Sequence, residues 1–183
     1  MPDPLNLRQA TLADIDAIEV LMRESTRALS AGFYDVAEIE SAVRYITVPD
    51  RQLVQDGTFF VAGDESSLVA CGGWSRREKL FTGRQVSAGD SRLLDPAREP
   101  ARVRAMFVHP RAARRGLGRR ILERCEAEAA AAGFRRLELM ATLPGVPLYE
   151  ACGYKKISEA QIPLPGGAVL RGVIMGRTID PKP

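Results

Sequence analysis

The chain has 183 residues, of which 45% are hydrophobic and 27% are charged, and its net charge is +3. That length suits one domain with a sizeable core, and the composition is typical of a soluble globular protein. The net charge is too small to indicate a nucleic-acid-binding protein by itself, although arginine is concentrated in places.

The cysteines argue against a metal or disulfide framework. Cys71, Cys125 and Cys152 are odd in number, have no CxxC spacing and are distant in sequence from the single histidine, His109. We therefore expect reduced, buried cysteines and no metal site. The N-terminal stretch MPDPLNLRQA lacks a signal-peptide pattern, and no apolar run approaches the ~20 residues of a membrane span. The predicted location is cytoplasmic, with no membrane partner.

The first predicted elements are a strand and a helix. Alternation in LNLRQA (5–10) predicts a short strand. Thr11 and Asp14 then form a capping-box pattern, which marks the start of a helix. The apolar residues that follow recur at helical spacing: Ile15, Ile18, Leu21 and Met22.

A second helix, a hairpin and a long loop are predicted next. The helix begins near Asp35 and ends before Pro49. Its inward-facing residues are Ile39, Val43 and Ile46. Two β-prone runs within 57–74 flank turn residues and predict a β-hairpin. Residues 78–100 show no sustained period, so they are predicted as a loop whose role stays open.

The second half of the chain predicts a β-α-β crossover followed by a short helix and a strand. The crossover consists of a strand at 101–108, a helix at 116–132 and a strand at 135–141. The later helix spans 146–152 and the final strand 168–179. The face of the long helix carries Leu117, Ile121, Cys125 and Ala129. The order β-α-α-β-β-β-α-β-α-β predicts an α/β or α+β fold with a mixed sheet, in which the crossover strands are parallel.

A glycine-rich, basic turn opens the long helix. In AARRGLGRRIL (112–122), Gly116 and Gly118 allow the backbone to approach a ligand, and the first helical N–H groups have no internal partner. Four arginines stand near the positive end of the helix dipole: Arg114, Arg115, Arg119 and Arg120. A bound phosphate would offset both the dipole and the guanidinium charges.

Other interpretations of this turn are weaker. The GxGxxG fingerprint fails because Ile121 stands at the third glycine position, and no Gly-Lys-Ser/Thr of a P-loop occurs. A solvated arginine cluster is the plain structural alternative. Nucleic-acid binding is disfavoured because the later helix carries carboxylates that would repel phosphate: Glu123, Glu126 and Glu128.

Two stretches resemble the GNAT superfamily of N-acetyltransferases. MFVHPRAARRGLGRRIL is similar to its motif A, a strand and a basic loop that opens a helix. LELMATLPGVPLYEACGYKK is similar to its motif B, with the Y-E-x-x-G-Y/F signature. The resemblance implies one N-acetyltransferase domain over 1–183, with a mixed, mostly antiparallel sheet, one central parallel pair and flanking helices. It also implies acetyl-CoA as acyl donor.

The same resemblance assigns the acetyl-CoA contacts. Backbone groups at the end of the first crossover strand would hold the pantetheine arm: Met106, Phe107 and Val108. The pyrophosphate would lie on the loop and first helical turn: Arg114, Arg115, Gly116, Leu117, Gly118 and Arg119. This chain departs from the family in having Ala113 where Arg or Gln is usual, and Thr142 where a CoA-contacting Asn is common.

For catalysis, the resemblance assigns Tyr149 as the general acid that protonates the leaving thiolate. The structural alternative is a core tyrosine with a satisfied hydroxyl. Relatives often have a glutamate base where this chain has Arg102, so the base stays open. Glu99 lies nearby in sequence, and His109 stands in a position that is common in relatives for structural reasons.

The acceptor is the least determined part. We hypothesise that some of four residues face the acceptor and favour a carboxylate or phosphate: Trp74, Arg76, Arg102 and Arg104. Surface or loop-anchoring salt bridges are the alternative. The predicted activity is transfer of an acetyl group to a primary amine of a small molecule or peptide; a non-catalytic acyl-CoA-binding sensor is the competing function. The length of the acyl donor and homodimer formation stay open.

Overall fold

The computed structural model describes residues 6–64, 67–80 and 92–179. The strands are β1 (Leu7–Gln9), β2 (Phe59–Asp64), β3 (Ser67–Ser75), β4 (Ala101–Val108), β5 (Arg136–Thr142), β6 (Lys155–Pro163) and β7 (Val169–Thr178). The helices are α1 (Ile15–Leu29), α2 (Val36–Tyr45), α3 (Arg51–Gln55), α4 (Leu117–Ala131) and α5 (Val146–Ala151). No helix within these described ranges is long and apolar enough to cross a membrane.

The strands form one sheet in the order β1-β2-β3-β4-β5-β7-β6. All neighbours are antiparallel except β4 and β5, which pair in parallel around the α4 crossover. The prediction of a mixed, mostly antiparallel sheet with one central parallel pair is therefore confirmed. One hydrophobic cluster joins α4 and α5 to the sheet, and a second joins α1 and α3 to its other face.

The predicted cap and apolar stripe are both present, but the cap begins a 3-10 turn (Leu12–Asp14) that leads directly into α1. The backbone N–H of Thr11 donates to Asp14 Oδ2 at 2.7 Å, and both halves of the capping box are present. The predicted stripe is buried: Ile15, Ile18, Leu21 and Met22. The predicted face of α4 is buried as well, since Leu117, Ile121, Cys125 and Ala129 are at most 2% exposed.

The Asp14 carboxylate also makes stability depend on pH. Hydrogen bonds from Arg8 lower the pKa of Asp14 from 3.8 to about 2. A depressed folded-state pKa stabilises the fold above the unfolded pKa, and that contribution is lost as the pH falls through the folded value. The full shift corresponds to about 2 kcal/mol, an upper bound because Arg8 is partly screened by solvent.

We therefore expect Asp14→Asn to lower the free energy of unfolding by about 1–2 kcal/mol at neutral pH, because the variant lacks the carboxylate with the lowered pKa and its ion pair with Arg8. Between pH 3.8 and about 2, the free energy of unfolding should also fall less in the variant than in wild type. Urea unfolding across that range measures both. Glu40→Gln, in a more exposed and therefore more strongly screened pair with Arg27, is the control and should change the slope less than Asp14→Asn does. An equal slope in wild type and Asp14→Asn would contradict the assignment.

Two elements were not predicted. Helix α3 has only five residues, too few to show a helical period. Strand β6 is an edge strand whose side chains are nearly all exposed, so it lacks the alternation of a half-buried strand. The predicted loop 78–100 is partly paired at its described ends, where Glu78 N–H donates to Arg92 and Leu94 N–H donates to Arg76. Residues 81–91 of that loop lie outside the described residues.

Candidate functional site

The parallel pair β4–β5 opens at its carboxyl end. Only three residue pairs connect the two strands, and the last is Val103 with Leu139. Both strands continue beyond it, β4 to Val108 and β5 to Thr142, each paired only on its outer side. The facing edges at 105–108 and 140–142 therefore do not hydrogen-bond to each other as strands. Backbone donors and acceptors of this kind need another partner, such as a ligand.

A β-bulge begins this opening. Ala105 has a positive φ of 55°, and the β3–β4 register shifts between Cys71 and Gly73. Such a conformation is uncommon for a residue with a side chain, and bulges are concentrated near active sites. The bulge turns Ala105 towards the α1 side, whereas Met106 packs on the α4 side above Gly72. No turn-forming residue marks the position, so the bulge cannot be predicted from the residue types there.

The anion site is predicted in the loop after β4, where the structure has a curved backbone segment. His109 caps a short 3-10 turn (Pro110–Ala112), and the backbone then takes positive φ values at Arg114 (64°) and Gly116 (79°) before α4 begins. Consecutive N–H groups in such a curved segment, together with a free helix N-terminus, favour anions. Exposed side chains of Arg114 and Arg115 make no polar contact with any described residue. They can therefore reach a ligand without breaking a polar contact with any of these described residues.

Gly116 and Gly118 serve different purposes. A Cβ on Gly116 would meet nothing within 4 Å, so glycine is favoured there by its positive φ. A Cβ on Gly118 would lie 2.8 Å from Leu148 Cδ2, and Gly118 is buried. The expectation that both glycines let a ligand approach is therefore corrected: the missing side chain at Gly118 leaves room for Leu148 of α5. Leu117 is buried in the core, so only its backbone remains for a ligand.

Tyr149 lies on α5 beside the end of β5. Its ring packs edge-on against Tyr154 at 5.9 Å, and the residue is buried. A Cβ on Gly145 would lie 3.3 Å from Tyr149 Cε2 and 3.5 Å from Thr142 Oγ1, so the phenol and the threonine hydroxyl border the same small gap. Burial raises the pKa of Tyr149, which keeps the hydroxyl protonated.

The hydroxyl of Tyr149 differs from those of two other buried tyrosines. Tyr154 donates to Glu126 at 3.2 Å, and Tyr34 donates to the carbonyl of Arg171 and accepts from Leu143. The Tyr149 hydroxyl has no hydrogen-bond partner in the part of the chain that the structure describes. The alternative of a core tyrosine with a satisfied hydroxyl is thus not what the structure contains.

The four predicted acceptor residues lie on two faces of the sheet. Trp74 packs against Phe134 in the core and donates to Glu128 at 3.2 Å, and Arg76 lies over the Trp74 ring. The indole is 2% exposed, so its predicted contact with an acceptor is corrected to a core role. Arg102 and Arg104 share the opposite face, as expected from their spacing.

Neither arginine on that face is a free surface cation. Arg102 Nη1 donates to Glu138 at 2.6 Å and its Nε donates to the Glu78 carbonyl. Arg104 Nη1 lies 3.2 Å from Asp50 Oδ2, and both side chains are almost fully buried. Sequence reasoning missed Asp50, whose only signal is its position before a five-residue helix.

The two weaker candidates for the general base have structural roles. Arg92 lowers the pKa of Glu99 to about 2, which makes that carboxylate a poor base. His109 Nδ1 accepts from the backbone N–H of Arg111, and its Nε2 lies 3.0 Å from Glu24. No described group therefore stands out as the base. No cluster of metal ligands occurs among the described residues either.

A protein family and several solved structures are similar to this chain over most of its length. The sequence model of the acetyltransferase (GNAT) family matches residues 19–154. No curated protein matches the chain. A GCN5-related N-acetyltransferase from Rhodopseudomonas palustris is similar in structure, with a TM-score of 0.69, 16% identity and 97% of each chain covered.

Two further solved structures resemble the chain. The PaiA N-acetyltransferase from Thermoplasma acidophilum, in complex with coenzyme A, has a TM-score of 0.62 and 15% identity, with 95% of this chain and 98% of that chain covered. A phosphinothricin acetyltransferase from Sinorhizobium meliloti, in complex with AcCoA, has a TM-score of 0.62 and 20% identity, with 96% and 89% covered. At these identities the likeness supports the fold.

Proposed function

Because the chain belongs to the GNAT acetyltransferase family, we propose that it moves an acetyl group from acetyl-CoA to a primary amine of a small molecule or peptide. The observation that carries the proposal is the opening between β4 and β5. From it, β4 leads into a basic, curved loop, and β5 leads towards α5, where the Tyr149 hydroxyl has no hydrogen-bond partner among the described residues. The proposal treats residues 1–183 as one N-acetyltransferase domain, since its strands form a single sheet.

The described residues fit acetyl-CoA. The N–H groups of the loop and first helical turn, with Arg114, Arg115 and Arg119, would hold the pyrophosphate. Backbone groups of β4 at 106–108 would hold the pantetheine arm, although the Val108 carbonyl already accepts from Ser25 at 2.8 Å. Thr142 borders the gap beside Tyr149 and offers a hydroxyl in place of the usual asparagine.

When bound, acetyl-CoA supplies an acetyl group on a thioester. Tyr149 holds a proton where the leaving sulfur is expected, and its hydroxyl donates a hydrogen bond to the charge that develops there. Burial raises the pKa of Tyr149, so complete proton transfer to a thiolate of ordinary pKa near ~8.5 is uphill. Tyr149 therefore acts first as a hydrogen-bond donor, and any proton it gives up is replaced by the one that the acceptor amine loses.

The test is to incubate the full chain with acetyl-CoA and a panel of amines while free thiol is measured. The panel should contain amino acids, their amides, polyamines and peptide N-termini, and the same samples should be assayed for the rise in melting temperature that CoA causes. Amine-dependent thiol release supports the proposal. A rise in melting temperature without release from any amine favours the acyl-CoA-binding sensor, and the lack of both excludes the two functions together.

A further inference from the structure

Arg104 occupies the vertex of the β4–β5 opening. It is the first β4 residue after the last pair with β5, and it directly precedes the bulge at Ala105. Its side chain lies on the α3 side of the sheet and is 1% exposed. The proposed pyrophosphate loop and Tyr149 belong to the cluster on the opposite, α4 side. A group that reaches the opening from the α3 side therefore meets Arg104 next to the transfer point.

The guanidinium of Arg104 is only partly satisfied. Its Nη1 faces Asp50 Oδ2 at 3.2 Å, while Asp50 Oδ1 accepts from the backbone N–H groups of Gln52 and Leu53 and caps α3. The Nε and Nη2 atoms of Arg104 are buried and have no hydrogen-bond partner in the described part of the chain. Among the described residues, five buried side-chain atoms have no hydrogen-bond partner, and three of them belong to Arg104 and Asp50.

The surroundings of Arg104 carry an excess of positive charge. Arg102 pairs with Glu138, Arg77 pairs with Asp56, and Arg104 pairs with Asp50. The remaining cation is Lys79, which is partly buried, interacts with both members of the Arg104–Asp50 pair and forms no ion pair with a described residue. These seven side chains therefore carry one more positive than negative charge.

Unpartnered donors on a buried guanidinium are costly, since the charge has lost its hydration without full replacement. Nε and Nη2 lie along one edge of the guanidinium plane, and the two oxygens of a carboxylate match such an edge. A carboxylate would satisfy both donors and neutralise the excess charge. A neutral amide would offer one acceptor oxygen and no charge.

We infer that Arg104 binds a carboxylate of the acceptor, so that the acceptors are amino acids or other amines that carry a carboxylate group. This inference rests on the proposed acetyl transfer for the identity of the bound molecule. Asp50 holds the guanidinium in place through Nη1 and leaves the other edge for the ligand, and Lys79 adds attraction for an anion.

The experiment compares matched pairs that differ only in charge. Free-thiol release is measured for the common α-amino acids, β-alanine and 4-aminobutyrate, each beside its carboxamide. In parallel, the melting temperature of the CoA-saturated chain is measured with the N-acetylated form of each acid and of each amide. Wild type, Arg104→Met, the double variant Arg104→Met/Asp50→Asn and Asp50→Asn are compared, with Arg27→Met as the surface control.

We expect wild type to favour at least one acid over its amide by about tenfold or more in kcat/KM, because a charged hydrogen-bonded pair is lost in the amide. Both Arg104 variants should abolish that preference by lowering the rate with the acid by about tenfold or more and the rate with the amide by less, since the amide offers Arg104 only one acceptor oxygen and no charge. The double variant leaves no buried, unpaired carboxylate, so it tests the idea even where Arg104→Met fails to fold. Asp50→Asn should increase the preference, because the competing anion is removed.

A merely structural pair would change the melting temperatures without changing the acid-to-amide ratio, and that result would overturn the inference. The inference would also be overturned if wild type had the same kcat/KM for acids and amides and the same melting temperature with their acetylated forms. If no amine releases thiol, the proposed transfer fails. The melting temperatures with acetylated acids and amides then still decide whether Arg104 binds a carboxylate.

Discussion

Replacing Tyr149 with Phe should lower kcat for amine acetylation by at least tenfold and leave the stability of the chain nearly unchanged. Acid–base and hydrogen-bond catalysis by a positioned side chain typically contributes 10²–10⁴-fold, by order of magnitude. The hydroxyl has no protein partner among the described residues, so its removal breaks no internal hydrogen bond. The ring, which packs against Tyr154 and borders Gly145, is retained. Steady-state rates and urea unfolding measure the two effects.

Tyr154→Phe is the matched control for Tyr149→Phe. Tyr154 is also buried, but its hydroxyl donates to Glu126, which also accepts from Arg177. Its removal should lower the free energy of unfolding by about 1 kcal/mol, the usual net worth of such a bond, and change kcat little. An unchanged kcat in Tyr149→Phe, or an equal loss of kcat in both variants, would remove Tyr149 from the mechanism.

Reversing the charge of Arg114 should raise KM for acetyl-CoA by roughly 10–100-fold and change kcat much less. A hydrogen bond to a charged group is worth about 1.5–3 kcal/mol, and every 1.4 kcal/mol is about tenfold in affinity. Arg114→Glu removes such a contact and adds repulsion on the pyrophosphate. Because Arg114 makes no polar contact with a described residue, the fold should lose little stability.

The control for this prediction is Arg135→Glu, an exposed arginine between α4 and β5. It carries the same charge change but lies beyond the far end of α4, so KM should stay within about twofold. The wild-type KM should also rise with ionic strength, and Arg114→Glu should weaken that dependence. A similar KM for both variants would show that net charge, and not this loop, attracts the ligand.

Several parts of the fold could be predicted because their signals are local. The hydrogen bonds of the Thr11–Asp14 cap are made within four residues, so the pattern itself specifies the helix start. The apolar stripes of α1 and α4 follow the 3.6-residue period, and the structure buries them as expected. The parallel pairing of β4 with β5 was predictable because a long helix connects the two strands as a crossover. Edge strand β6 escaped prediction because its exposed side chains carry no alternation.

The sequence by itself determined the basic loop at 112–118, the helix that follows it and the tyrosine of the YEACGY stretch, since each depends on residues close together in the chain. Only the tertiary structure decided that Trp74 belongs to the core, that Gly118 packs against Leu148, and that the Tyr149 hydroxyl has no partner among the residues the structure describes. The tertiary structure alone also joined Arg104 to Asp50, 54 positions earlier in the chain. Burial and hydrogen-bond satisfaction are properties of what packs around a side chain, and residues distant in sequence supply that packing.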